Sequence, residues 1–142
     1  VSLRPQLKQT QHDVIVECDP EIELNNDPGS LAQVVTNLVM NSLIHGFEGV
    51  EKGDIHMKVV EDGDALVFEY SDSGRGMDEE TCKKIFDPFF TTRRGAGGSG
   101  LGMNIVFNLV TQTLRGTISC ESAVGEGTKF TMTFPRDIAQ AA

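Results

Sequence analysis

The sequence predicts a layered α/β fold in which strands and helices alternate around one core. Short runs in which apolar and polar residues alternate are typical of half-buried strands. Two other segments, residues 28–44 and 101–114, carry apolar residues at helical spacing. At 142 residues the chain is long enough for a single domain with one core, and we interpret it as such.

One predicted strand carries an unexpected acid. Leu66, Phe68 and Tyr70 form its apolar face, and Asp72 falls on that same face because strand side chains alternate with a period of two. A carboxylate there is costly unless another group donates to it. By the same parity Thr128 points inward at the start of the last strand. The strand patterns lie at residues 14–16, 55–59, 66–72, 118–120 and 128–134, with hairpin turn signals at 62–63 and 125–127.

The first predicted helix is apolar on nearly every side. Asp27 followed by Pro28 is typical of a helix start, and a capping box at Ser30 is the alternative. We expect the helix to run to about residue 44 and to end at Gly46. Within its apolar surface, two asparagines four residues apart share one face. Neighbouring backbone could satisfy these buried amides, but the pairing favours a ligand or metal in a cleft; the two residues are Asn37 and Asn41.

Composition limits the classes of partner. The net charge of −9 argues against nucleic acid and requires that any bound polyphosphate be held by local donors. The longest nearly apolar stretch, residues 34–44, is too short to cross a membrane, and no signal peptide is visible. Cys18, Cys82 and Cys120 show no paired spacing, which predicts a reduced, cytoplasmic setting and no zinc site.

Residues 95–102, of which five are glycine, precede the second predicted helix. Bare backbone amides at a helix N-terminus suit an anion such as phosphate, and a flexible surface loop is the alternative. The P-loop pattern fails because no lysine lies between Lys84 and Lys129. The dinucleotide pattern Gly95-x-Gly97-x-x-Gly100 is present, but residues 91–94 are not a buried strand and the chain has no room for a second half of that fold.

A third interpretation uses all of these features together. An asparagine helix, Asp72-x-Gly74-x-Gly76, the phenylalanine-rich residues 86–90, Gly98-x-Gly100-x-Gly102 and residues 127–128 follow one another in order. In this the sequence closely resembles, over about residues 13–135, the catalytic ATP-binding domain of sensor histidine kinases. That domain shares a superfamily with DNA gyrase, MutL and heat-shock chaperones. The resemblance implies a two-layer sandwich, a mixed five-stranded sheet packed against three helices, called a Bergerat-type ATP-binding fold.

The resemblance also implies a site for ATP and Mg²⁺. Asp72 would accept a hydrogen bond from the adenine amine, and Thr128 would support the base through water. Asn41 would coordinate Mg²⁺ through its amide oxygen, with Asn37 beside it, directly or through a metal-bound water. Gly74 and Gly76 would let the backbone approach the base. The phosphates would lie against Gly98, Gly100, Leu101 and Gly102, near the lid residues Thr91, Thr92, Arg93 and Arg94.

Two departures from the family pattern bear on mechanism. Many members have a basic residue where this chain has Ile44, so a phosphate contact would be missing or would move to His45, which could equally be a plain helix-end residue. The gyrase, MutL and chaperone branches place a glutamate base at the position of Asn37. An asparagine there favours phosphotransfer over hydrolysis of ATP.

The implied function needs a second domain. The resemblance implies transfer of the γ-phosphate to a histidine on a separate dimeric helical phosphoacceptor domain, and from there to a response regulator. None of His12, His45 and His56 has the surroundings of a phosphoacceptor histidine. We therefore expect a cytoplasmic, monomeric chain excised from a longer protein, which other segments could tether to a membrane. A nucleotide-binding regulatory module and an ATPase of another superfamily branch are the alternatives.

Overall fold

The computed structural model describes residues 13–18, 22, 24, 26–47, 53–88 and 102–137. No helix in these ranges is long and apolar enough to span a membrane. In chain order the elements are β1 (Asp13–Cys18), α1 (Pro28–Asn41), β2 (Asp54–Asp62), β3 (Ala65–Asp72), α2 (Glu79–Lys84), α3 (Gly102–Asn108), β4 (Thr117–Ala123) and β5 (Gly127–Pro135).

The strands form a five-stranded mixed sheet in the order β1-β2-β3-β5-β4. β1 runs parallel to β2, and every other neighbouring pair is antiparallel. Alternate residues of β3 are buried, as the period-two pattern predicts. Its buried face packs in one core with residues of α1 and α3. The predicted α/β sandwich of a mixed five-stranded sheet and three helices is thus confirmed.

The start of α1 follows the sequence prediction. Asp27 is the N-cap, its carboxylate accepts from the Ser30 amide at 3.1 Å, and Pro28 occupies the first turn. The alternative capping box is not used, because the Gln33 side chain donates to Asn37 instead. Asp78 caps α2 in the same way, accepting from the Thr81 amide at 2.8 Å.

Both long helices end in a wide π-helical turn that the sequence did not predict. α1 continues through Ser42–Gly46, closed by the Phe47 amide donating to the Ser42 carbonyl at 2.8 Å. α3 continues through Leu109–Thr113 in the same manner. The Phe47 ring lies against Gly53 so closely that a Cβ at residue 53 would fall 2.3 Å from it. Phe47, which follows the widened turn directly, is thus buried.

Candidate functional site

The Asp72 carboxylate lies at the end of β3, between α1 and the sheet. It is 7% exposed. Oδ1 accepts from the Gly74 amide at 3.0 Å, and Oδ2 accepts from the Ser42 hydroxyl at 2.7 Å. Burial raises the pKa of Asp72, and hydrogen bonds from the Ser42 side chain and from the Gly74 and Thr128 backbones oppose that rise. A carboxylate has about four lone-pair positions, so the pair of oxygens can accept a further donor.

Ser42 and Tyr70 connect that carboxylate to the core of the domain. The Ser42 Oγ lies 2.7 Å from the Tyr70 hydroxyl oxygen, which lies 3.1 Å from the Leu38 carbonyl oxygen. With Asp72 ionised, the two hydroxyl hydrogens must serve three contacts, Asp72–Ser42, Ser42–Tyr70 and Tyr70–Leu38. Burial also raises the pKa of Tyr70 well above its usual range, so its hydroxyl stays protonated. The ionised cluster therefore has one donor fewer than its contacts require.

The turn after β3 fits tightly between the end of α1 and the β4–β5 hairpin. The Arg75 amide donates to the Gly46 carbonyl at 2.8 Å, and a Cβ on Gly74 would lie 2.2 Å from that oxygen. Gly76 has φ +71°, and a Cβ there would lie 2.0 Å from the Ala123 carbonyl oxygen. Glycine is needed at both positions because the backbone of another segment occupies the side-chain space.

Thr128 lies directly opposite Asp72 in the β3–β5 ladder and is 7% exposed. Its Oγ1 lies 2.9 Å from the Ser122 Oγ, which also accepts from the Met77 amide at 2.8 Å. The Ser122 hydroxyl donates to the Gly127 carbonyl at 2.7 Å, so the shared hydrogen comes from Thr128. The free lone pairs of the Thr128 hydroxyl are then acceptors.

The two asparagines of α1 differ in their contacts. The Asn37 Nδ2 donates to the Gly102 carbonyl at 3.1 Å, which joins α1 to the first residue of α3, and its Oδ1 accepts from Gln33 at 2.7 Å. Asn41 is half-buried, and its side chain makes no hydrogen bond within the described parts of the chain. Its amide oxygen therefore has the chemistry of a hard-cation ligand and is available.

The remaining predicted positions divide into two groups. His45 is half-buried in the wide turn, where its carbonyl accepts from the Arg75 side chain at 3.1 Å. The predicted phosphate and lid residues Thr91, Thr92, Arg93, Arg94, Gly98, Gly100 and Leu101 lie outside the described residues. The structure thus brings together Asp72, Gly74, Gly76 and Thr128, and it places Asn37 against Gly102.

Sequence reasoning missed the hydroxyl groups that hold this site. Ser42 is fully buried, and neither it nor Ser122 was singled out as a site residue. A signal for Ser42 was present, because it continues the buried α1 positions Val34 and Leu38 at intervals of four residues. No such periodic signal marks Ser122, whose role depends on the hairpin that places it beside Thr128.

Comparison with known proteins decides the family. Residues 26–138 match the family described as histidine kinase-, DNA gyrase B-, and HSP90-like ATPase. The chain belongs to this family. The predicted resemblance, a histidine-kinase type of ATP-binding domain, is confirmed.

Several relatives and solved structures give the level of similarity. The sensor kinase CckA of Brucella abortus is 35% identical over 122 residues, which cover 78% of this chain and 13% of CckA. The sensor histidine kinase ZraS of Klebsiella oxytoca is 45% identical over 112 residues, covering 77% of this chain and 22% of ZraS. The nucleotide-free catalytic domain of histidine kinase ThkA superimposes with a TM-score of 0.82 at 26% identity, covering 97% of this chain and 88% of that domain.

This chain therefore spans less than a quarter of the length of either curated relative. One of these relatives is named a sensor kinase and the other a sensor histidine kinase.

Proposed function

We propose that this chain binds Mg-ATP and supplies the γ-phosphate to a histidine on a separate phosphoacceptor domain, in two-component signalling. The observation that carries the proposal is the Asp72 carboxylate, buried at the end of β3 and held by Ser42 and Gly74. Membership of a family of ATPases supports ATP as the class of ligand, and the buried acceptor at Asp72 supports the proposed contact with its adenine amine.

The adenine amine suits the remaining acceptor capacity of Asp72. The carboxylate already accepts from the Ser42 hydroxyl and the Gly74 amide, and its remaining lone pairs could accept an N–H of the adenine amine. Thr128, opposite Asp72, would offer acceptor lone pairs to a water or base edge. Gly74 and Gly76 would keep the turn beside the base free of side chains.

Asn41 is the proposed Mg²⁺ ligand, through its amide oxygen, and Asn37 would lie beside it. Mg²⁺ prefers oxygen ligands and keeps several of its waters when it binds to a protein. One amide oxygen from this helix is therefore enough as the protein's contribution to the ion's coordination. When bound, the ion would neutralise charge on the phosphate oxygens. His45 and the lid residues, with backbone amides of residues 98–102, complete the proposed phosphate contacts.

The position of Asn37 supports phosphotransfer over hydrolysis. An amide cannot take a proton from water, and its nitrogen already donates to the Gly102 carbonyl. Attack by water on ATP would then go unassisted. The nucleophile in the proposed reaction is a histidine of the phosphoacceptor domain, which this site would supply with an aligned γ-phosphate.

The test uses ATP labelled on the γ-phosphate. We expect this chain alone to bind ATP without labelling itself and with little phosphate release, and to label a helical phosphoacceptor domain added in trans. Acid-labile label on the isolated chain would show that the acceptor is misplaced. Brisk phosphate release without the helical domain would indicate the hydrolytic branch. Binding without label on either component would favour a regulatory nucleotide-binding module.

A further inference from the structure

Two cysteines that are distant in sequence meet behind the β4 strand. Cys82 on α2 and Cys120 on β4 are separated by 38 positions, yet their Sγ atoms lie 3.2 Å apart. The Cys82 thiol also approaches the Cys120 carbonyl oxygen at 3.5 Å. Both side chains are half-buried, and the third cysteine, Cys18, is exposed on β1. The three cysteines show no paired spacing in the sequence, so their spacing gave no sign of this contact.

We propose that Cys82 and Cys120 are an oxidative modification site, at which hydrogen peroxide converts the two thiols into an intramolecular disulfide. A disulfide has an S–S length of about 2.05 Å, so the two sulfurs must approach by only about 1 Å. Helix α2 can make that movement because none of its residues is buried. Its ion pairs, Lys83–Glu79 and Lys84–Glu80, lie within the helix and would move with it.

The chemistry balances with peroxide as the oxidant. The Cys82 thiolate attacks one peroxide oxygen, the O–O bond breaks, and the products are a sulfenic acid and hydroxide. The Cys120 sulfur then attacks the Cys82 sulfur, the S–O bond breaks, and the departing hydroxide takes the Cys120 proton as water. Two thiols and one peroxide thus give one disulfide and two waters. Burial raises the pKa of Cys120, and the balance is unchanged if Cys120 is the first sulfur to be oxidised.

The disulfide would tie together two segments that flank the candidate nucleotide site. The turn before α2 already contacts the β4–β5 hairpin, because the Met77 amide donates to Ser122 and the Gly125 amide donates to the Arg75 carbonyl. A covalent bond from Cys82 to β4 would hold that turn in the same place. It would also close a loop that contains the glycine-rich residues 95–102. Closing a loop of this length restricts the unfolded chain and raises stability.

The alternative to an oxidation site is a purely structural role, in which both cysteines only fill space in the core, as buried free thiols commonly do. The two cases differ in the product of oxidation. If the thiols only pack, peroxide would oxidise exposed Cys18, and either Cys82 or Cys120, to sulfenic or sulfinic acids without forming a cross-link.

The test treats the whole chain with hydrogen peroxide and maps the peptides by mass spectrometry without reduction. We expect a Cys82–Cys120 cross-link in monomeric protein, with the thermal midpoint raised by about 10 °C and restored by dithiothreitol. Cys18→Ser should behave like the parent chain. Cys82→Ser and Cys120→Ser should lose both the cross-link and the rise, and Cys82→Ala and Cys120→Ala repeat the test if the serine variants unfold. A cross-link to Cys18, a cross-link between chains, or a sulfinic acid without a cross-link would overturn the proposal.

Discussion

The Ser42 hydroxyl donates to the Asp72 carboxylate at 2.7 Å, across the boundary between the wide last turn of α1 and the end of β3. Both residues are buried, and the Tyr70 hydroxyl oxygen lies 2.7 Å from the Ser42 Oγ. The Asp72 carboxylate is thus connected, through the Ser42 and Tyr70 hydroxyls, to the Leu38 carbonyl. We call these two hydroxyls the hydroxyl line. Because its charge is buried, Asp72 should lower the stability of the folded chain, although we propose that it recognises adenine. Substitution of Asp72 should therefore change stability and nucleotide affinity in opposite directions.

Asp72→Asn should raise the thermal midpoint at neutral pH. An asparagine can accept from the Gly74 amide and donate to Ser42, which frees Ser42 to donate to Tyr70 and Tyr70 to donate to Leu38. Burial raises the pKa of Asp72 above its ordinary 3.8, so the folded chain holds this proton more tightly than the unfolded chain. Stability is therefore lost as the pH rises from that ordinary value through the raised pKa of Asp72 in the folded chain. Melting curves of both proteins between pH 4 and pH 8 should diverge with rising pH, and curves that converge would contradict this.

Ser42→Ala should destabilise the fold and weaken nucleotide binding. The change leaves the Asp72 Oδ2 without its hydroxyl donor in a buried position, at a cost of about 1–3 kcal/mol. Ser119→Ala is the matched control, because Ser119 is exposed on β4, and it should change stability by less than about 0.5 kcal/mol. Urea denaturation compares the two. Equal effects would show that the hydroxyl line does not support Asp72.

Gly76→Ala should be much more damaging than Gly63→Ala. Both glycines have positive φ, +71° and +62°, so both substitutions carry the left-handed backbone penalty of about 1 kcal/mol. Only Gly76 faces another backbone, because a Cβ at that position would lie 2.0 Å from the Ala123 carbonyl oxygen, whereas nothing lies within 4 Å of one at Gly63. We expect Gly76→Ala to cost about 3 kcal/mol in urea denaturation. A cost similar to that of Gly63→Ala would mean that the turn can move away from the hairpin.

Asn41→Ala should remove the Mg²⁺ dependence of nucleotide binding. With Mg²⁺ present, the affinity for ADP should fall by about tenfold, and in excess chelator the variant and parent chains should bind alike. Asn37→Ala provides the comparison, because it breaks the contact with the Gly102 carbonyl and should lower stability as well. Calorimetric titration in both buffers gives the result, and an Asn41→Ala loss of equal size in chelator would exclude the proposed ligand role.

Local signals in the sequence were sufficient for most of the fold. The start of α1 at Asp27 was predicted because a side-chain acceptor at that place satisfies free amides of the first turn. The unusual position of Asp72 was predicted from the alternation of strand side chains alone, since it is the one acid on the buried face of β3. These features depend on residues a few positions apart, so the sequence displays them directly.

Features that depend on distant segments were not predictable in this way. The Ser42–Tyr70–Asp72 line joins three positions on two elements, and the Cys82–Cys120 contact requires α2 to lie against β4. The wide turn at Ser42–Gly46 accompanies the packing of the Phe47 ring on Gly53. In each case the relevant distance is set by tertiary packing, for which the spacing in the sequence carries no signal.

The measurement that tests the account most directly is calorimetric titration of ADP, with Mg²⁺, into the parent chain, Asp72→Asn and Asp62→Asn. Asp62 is exposed at the end of β2, so its variant makes the same chemical change away from the site. We predict that Asp72→Asn loses about 1–3 kcal/mol of binding free energy while remaining at least as stable as the parent, and that Asp62→Asn binds like the parent. Unchanged affinity in a folded Asp72→Asn variant would contradict the central claim that this buried carboxylate recognises adenine.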